Sequence, residues 1–99
     1  MTIYKRTKII ATLGPASNNY DTVMKLVKEG VDVCRINFSH GDKQTQSQAV
    51  NTVHGINKSN QTHIALLADL QGPKIRVGEI ENDSVILSND KTIIIWTKF

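Results

Sequence analysis

Short apolar runs alternate with segments of helical periodicity over most of the chain. The apolar runs predict three β-strands, at residues 8–13, 31–39 and 63–70. Strands that are joined in order by helices are typical of repeated βαβ units, which form a parallel sheet. The pattern therefore predicts an α/β fold.

Two helices are predicted between these strands. The first should span residues 19–29, with Asn18 or Asn19 as its cap and Gly30 as a left-handed stop. The second follows Gly41-Asp42, is more polar, and should fray near "NKSNQ". Its apolar face is marked by three residues: Ala49, Val53 and Ile56.

The pattern changes after Gly72-Pro73. Three short strand-like runs follow, separated by turn-forming residues: "KIRVGEI", "SVILS" and "TIIIW". This arrangement favours antiparallel hairpins rather than further βαβ units. We therefore predict a domain boundary near Pro73, with one unit over residues 1–73 and a second, β-rich unit over 74–99.

Polar side chains gather at the end of the second predicted strand, in "RINFSHG". Strand side chains alternate between faces, so Arg35, Asn37 and Ser39 share one face. The opposite face carries Cys34, Ile36 and Phe38 and should lie under the helices. The third strand places Asp69 at its own carboxyl end, and ligands of parallel α/β sheets bind at that edge.

Two interpretations of this edge stay open. Arg35 and Asp69 could form a salt bridge that only fastens the second strand to the third. Alternatively, Arg35 with Asn37, Ser39 and His40 offers a guanidinium, neutral oxygens and an imidazole, which suit an anionic substrate with bound cations. The other two histidines are expected on the surface or in satisfied positions: His54 and His63.

Composition and charge exclude several classes of protein. The net charge is +3, but the basic residues are scattered and no cluster exceeds Lys5-Arg6, which we expect to be solvated. A nucleic-acid partner would require a denser basic patch, and no stretch is apolar enough for a membrane partner. The single cysteine excludes an intrachain disulfide and favours a reducing, cytoplasmic location.

Three segments together resemble pyruvate kinases: "TKIIATLGPAS", "GVDVCRINFSHGD" and "ADLQGPKIRVGEI". The resemblance covers roughly residues 6–99. It implies the first three strands and two helices of a (β/α)₈ barrel, followed by the start of a small β-rich lid domain. It also implies phosphoryl transfer from phosphoenolpyruvate to ADP, which yields pyruvate and ATP, with Mg²⁺ and usually K⁺. A homotetramer is implied for the intact enzyme.

The resemblance implies a role for each matching position. Arg35 resembles the residue that binds the transferring phosphoryl group, which suits its bidentate fork. The nucleotide phosphate contacts are implied at five positions: Asn37, Phe38, Ser39, His40 and Arg76. The potassium ligands are implied at four, all through oxygen atoms: Asn37, Ser39, Asp69 and the Leu70 carbonyl.

Two positions depart from the potassium-using pattern of that family. Such members commonly have Thr where this chain has Leu70, and Glu where it has Lys74. The pair found here resembles the potassium-independent branch, in which a lysine ammonium supplies the unit charge permanently. We expect Lys74 to lie within reach of Asp69 and to replace the monovalent cation.

The family's catalytic lysine and its magnesium carboxylates are implied beyond residue 99, so we expect the 99-residue chain to be inactive alone. Two other hypotheses remain. The chain could be a free-standing phosphate-binding module, or part of an aldolase-like barrel enzyme, which would lack the lid and "GPKIR".

Overall fold

The structure is a computed structural model that describes residues 4–96. It contains strand β1 (Ile10–Leu13), helix α1 (Tyr20–Lys28), strand β2 (Val33–Asn37), helix α2 (Lys43–Asn60) and strand β3 (Ala65–Asp69). The three strands form one parallel sheet in the order β1-β2-β3. This order of elements confirms the predicted α/β fold.

Local capping explains where each helix begins. The Asn19 side chain accepts a hydrogen bond from the Thr22 amide (2.9 Å) at the start of α1. The Asp42 carboxylate accepts one from the Thr45 amide (2.7 Å) at the start of α2. Each bond satisfies an amide that the helix itself leaves unpaired. Asn19 is thus confirmed as one of the two predicted caps.

Helix α2 does not fray where the sequence suggested. It stays helical through Asn60 and ends at Gln61, whose backbone is left-handed (φ 52°). The Asn60 amide nitrogen donates to the Ile56 carbonyl (3.0 Å), and Asn57 anchors the last turn to the chain that enters β3. These side-chain bonds hold a polar segment that propensity alone would leave loose.

The core lies between the sheet and the two helices. Cys34 and Ile36 of β2 are buried, as the alternation predicted, and Phe38 packs partly against them. Burial raises the pKa of the Cys34 thiol, which favours its protonated form. The other buried residues of the core lie in β1, in α1, in the turn before β2 and in α2: Leu13, Val23, Val31, Ala49, Val53 and Ile56. His54 and His63 are exposed, as expected.

The prediction for Lys5 is wrong. Its ammonium pairs with Asp32, and the same carboxylate accepts a hydrogen bond from the Ile9 amide (2.8 Å). Lys8 lies 3.8 Å from the other carboxylate oxygen of Asp32. Lys5 is therefore tied to the amino-terminal end of the sheet, whereas Arg6 is exposed as predicted.

The predicted hairpins after Pro73 are also absent from the part of the chain described. Residues 74–96 contain no strand, only a short turn of 3₁₀ helix at Glu81–Asp83. The apolar side chains of this segment, from Ile75 to Trp96, are exposed. A hairpin is marginal unless its apolar face packs on another surface, and the described residues offer these runs no such surface. The domain boundary near Pro73 stays a prediction.

No helix within residues 4–96 combines the length and the apolar character needed to cross a bilayer.

Candidate functional site

The Arg35 guanidinium is held between the two strands that flank β2. The parallel register places Thr12 of β1 opposite Arg35, and Asp69 of β3 opposite Asn37. Arg35 Nη1 donates to Thr12 Oγ1 (3.1 Å), and Nη2 forms an ion pair with Asp69 Oδ2. The three strands thus converge on one side chain at the carboxyl edge of the sheet.

This geometry contains the salt bridge that the sequence suggested, and the contacts within residues 4–96 leave some guanidinium donors free. A guanidinium carries five N–H groups, of which these contacts use two. The side chains of Arg35 and Asp69 are 29% and 37% exposed, so the group is accessible to a ligand. The same contacts that fasten β2 to β3 therefore also orient a charged fork at the open edge.

The turn after β2 is shaped by Asn37. Its side-chain oxygen accepts a hydrogen bond from the Ser39 amide (3.0 Å), and its carbonyl accepts one from the His40 amide (3.4 Å). The Phe38 amide donates to the Asp69 carbonyl (2.9 Å), which extends the sheet by one bond. Gly41 then adopts a positive φ of 78°, a conformation that suits glycine, and directs the chain into α2.

The start of α2 closes this turn. The Thr45 backbone and side chain hydrogen-bond to the Asp42 carboxyl group and hold its pKa below the ordinary range. Gln46 Nε2 donates to the His40 carbonyl (3.1 Å), so the loop is tied to the first turn of the helix. The loop that carries Ser39 and His40 is therefore fixed at both ends.

Lys74 reaches back to this edge from beyond the Gly72-Pro73 turn. Its ammonium donates to Ser39 Oγ (3.2 Å). Lys74 was expected within reach of Asp69, but no ion pair links the two within residues 4–96. Asp69 pairs with Arg35 instead. Lys74 thus contacts one of the oxygens implied as a cation ligand.

The structure brings together only some of the residues expected at the site. Arg35, Asp69, Asn37, Ser39 and Lys74 are linked by the contacts above, directly or through the chain. Within residues 4–96, the side chains of three others lie apart from this group: Phe38 packs on the core, and His40 and Arg76 are exposed. The Leu70 side chain is 72% exposed, which leaves only its carbonyl for a role in the site.

Thr12 was missed by the sequence analysis. It lies in the first strand, two residues before Gly14, and nothing in "KIIATL" distinguishes it from a structural strand residue. The register of β1 against β2 was the signal needed.

The described residues do not assemble a magnesium site. No group of three or more His, Cys, Asp or Glu side chains within residues 4–96 is arranged to hold a metal ion. Two open grooves line the outer face of α2, around Ser47 and Asn51, and neither includes Arg35. The site described here is accordingly an open edge rather than an enclosed pocket.

A parallel sheet of repeated βα units, with basic and polar side chains at its carboxyl edge, defines the class of protein, an α/β domain. The family described as "Pyruvate kinase, barrel domain" matches residues 4–98. The chain therefore belongs to the pyruvate kinase family, whose members are transferases.

Individual relatives agree with this assignment. The chain is 42% identical over 93 residues to pyruvate kinase of Thermococcus litoralis. The aligned segment covers 94% of this chain and 20% of the relative. It is 43% identical over 89 residues to pyruvate kinase of Corynebacterium glutamicum, covering 90% of this chain and 19% of the relative. The crystal structure of Cryptosporidium parvum pyruvate kinase superposes with a TM-score of 0.66 at 34% identity, covering 77% of this chain and 16% of that one.

The chain spans about a fifth of the length of the curated relatives it matches.

Proposed function

We propose that the intact protein transfers the phosphoryl group of phosphoenolpyruvate to ADP, producing pyruvate and ATP. Family membership supports the class of reaction. The observation that carries the proposal is the Arg35 guanidinium, which two neighbouring strands hold at the carboxyl edge through two of its five N–H groups, as far as residues 4–96 show. A fixed fork of this kind suits an anion with several equivalent oxygens.

Arg35 would act on the transferring phosphoryl group. Phosphoryl transfer depends mainly on positioning and on neutralising the charge spread over the phosphoryl oxygens. A guanidinium oriented in advance by Thr12 and Asp69 needs no rearrangement as that charge develops. We therefore assign Arg35 to transition-state stabilisation and substrate binding.

The turn after β2 would contact the nucleotide phosphates. Asn37, Ser39 and His40 are presented by a loop that internal hydrogen bonds fix at both ends. Phe38 packs on the core, so its contribution would come from its backbone. Arg76 is exposed and would approach the nucleotide from the segment that follows Lys74.

Lys74 would replace the monovalent cation. The oxygens proposed for K⁺ belong to Asn37, Ser39, Asp69 and Leu70, and Lys74 already donates to the Ser39 hydroxyl. An ammonium at this position supplies one permanent positive charge, which is the electrostatic role of a bound K⁺. We therefore propose that the intact enzyme works without potassium.

The described residues do not supply the magnesium ligands that this reaction needs. The reaction of this family uses Mg²⁺ to neutralise phosphate charge, but residues 4–96 gather no set of side chains able to hold it. For the same reason, we propose that residues 1–99 alone are inactive. Family membership supports the further proposal that the intact protein is a homotetramer, and the single cysteine favours a cytoplasmic location.

The proposal is tested with the full-length gene product and an assay that couples pyruvate formation to NADH oxidation. Wild-type protein should consume phosphoenolpyruvate only when ADP is present and form ATP in equal amount. Arg35→Ala should lower kcat by at least about a hundredfold with a much smaller change in the KM for ADP, because the lost contact acts mainly in the transition state.

Arg6→Ala serves as the matched control, because Arg6 is an exposed arginine outside the site. It should keep wild-type kinetics. Absence of ADP-dependent turnover in the wild-type protein would refute the proposed reaction, whereas normal turnover of Arg35→Ala would remove only Arg35 from it.

A further inference from the structure

The Thr12 side chain makes a hydrogen bond that is not needed to form the strand. Its hydroxyl accepts a hydrogen bond from Arg35 Nη1 at 3.1 Å, across the parallel pair β1-β2. The sheet is already joined there by main-chain hydrogen bonds between residues 10–13 and 33–36. A valine would fit such a strand at least as well, so the hydroxyl points to a role toward Arg35.

The two contacts of Arg35 fall on different nitrogens. Asp69 holds Nη2 and Thr12 holds Nη1. One contact alone would let the guanidinium turn about its bond to the side chain, whereas two contacts from opposite sides define the orientation of its plane. The remaining N–H groups then point in a fixed direction before any ligand arrives.

The side chain of threonine suits this task. Its β-branch restricts rotation about χ1, so the hydroxyl oxygen stays on the side of the strand that faces Arg35. The register places the two residues directly opposite each other on paired strands, so the sheet fixes the distance between their backbones. A longer polar side chain would lose more conformational entropy to hold the same position.

We propose that Thr12 is a positioning residue, which with Asp69 sets the orientation of the Arg35 guanidinium for phosphoryl transfer. The inference rests on the proposed function for its kinetic consequence. The orientation of Arg35 is a property of the folded protein, however, and can be measured without turnover. The two claims therefore succeed or fail separately.

The kinetic test compares three variants of the full-length protein. Thr12→Val removes the hydroxyl at nearly constant shape and should lower kcat about tenfold, the effect of one hydrogen bond to a charged group. The KM for ADP should stay unchanged. Thr12→Ser keeps the acceptor and should restore most of the lost kcat.

Thr52→Val is the matched control. Its hydroxyl donates to the Asn18 carbonyl (3.3 Å) between α2 and the loop before α1, so its loss affects packing but not Arg35. It should keep the wild-type kcat even if its melting temperature falls. A purely structural role for Thr12 would instead make Thr12→Val behave like Thr52→Val.

The second measurement is the rate at which phenylglyoxal modifies Arg35, followed by mass spectrometry of the peptide. Freed from Thr12, Nη1 should react faster, so Thr12→Val should raise this rate severalfold while Thr52→Val leaves it unchanged. Equal rates in all variants would overturn the proposal, as would equal loss of kcat in Thr12→Val and Thr12→Ser. If the wild-type protein shows no phosphoryl transfer, the proposed function fails and the modification rate alone decides the role of Thr12.

Discussion

Asn57 provides the sharpest test of how the last turn of α2 is held. Its amide nitrogen donates to the Ile64 carbonyl (2.9 Å), and its side-chain oxygen accepts hydrogen bonds from the Ile64 amide (2.9 Å) and the Thr62 hydroxyl (2.9 Å). The side chain therefore pairs both backbone groups of the residue that leads into β3. We expect Asn57→Ala to loosen this junction without removing any apolar contact of the core.

The magnitude follows from these bonds. Three hydrogen bonds at a net value of about 1 kcal/mol each give ~3 kcal/mol, and the part-buried Ile64 amide loses its partner. Alanine returns about 0.5 kcal/mol because it favours a helix more than asparagine does. The free energy of unfolding should therefore fall by about 2 to 3 kcal/mol.

Asn51→Ala is the control, because Asn51 is exposed on the same helix and gains the same helical propensity. It should be neutral or stabilise by a few tenths of a kcal/mol. Urea unfolding followed by circular dichroism measures both variants, and hydrogen exchange at the Ile64 amide reports on the junction itself. If Asn57→Ala is as stable as Asn51→Ala, the inferred anchoring of α2 is wrong.

Three further predictions concern the charge of Lys74, the ion pair of Asp32 and the activity of residues 1–99 alone. Lys74→Glu should make the full-length enzyme dependent on potassium, because it exchanges a positive for a negative charge beside Ser39, whereas Lys58→Glu, on the exposed end of α2, should stay potassium-independent. Strict potassium dependence of the wild-type enzyme would contradict the role given to Lys74. The ion pair with Lys5 and the Ile9 amide hold the pKa of Asp32 below its ordinary value of 3.8, so this stabilisation is complete above that pH and is lost as the pH falls through the lowered value of the folded state. Urea unfolding at a series of pH values should therefore show a shallower acid dependence for Asp32→Asn, and identical slopes would exclude the pair as a source of stability. Purified residues 1–99 should show no turnover above a mock preparation in the coupled assay, and measurable activity would mean that the remaining groups of the family's site are not needed.

The period-two alternation predicted which side chains of β2 face the helices. Cys34 and Ile36 are buried and Arg35 is not, because successive side chains of a strand point to opposite faces of the sheet. The joining of Arg35 to Asp69 was also predictable, since parallel strands bring their carboxyl ends to one edge. These features depend on backbone periodicity, which a single sequence contains.

Contacts between distant segments were not predictable in the same way. Lys5 meets Asp32 across the whole of the first βα unit, and no local pattern links the two positions. Lys74 reaches Ser39, whereas the Asp69 carboxylate pairs with Arg35. The runs after Pro73 were predicted as strands from their composition, but residues 74–96 form none. A strand also needs a neighbouring strand to pair with, and composition alone does not reveal one.

The packing of Lys5 over Gly30 makes two distant positions dependent on each other during sequence divergence. Gly30 has a positive φ of 101°, and a Cβ atom added there would lie 2.8 Å from Cε of Lys5. A substitution at position 30 would therefore strain the backbone and, as long as position 5 is lysine, would also shift the flexible end of that side chain, which pairs with Asp32. If a smaller residue replaced Lys5 first, the same substitution would meet mainly the strain of the left-handed backbone. The order in which these two mutations arise thus changes the cost of the substitution at position 30, an epistatic link between residues that share no secondary-structure element.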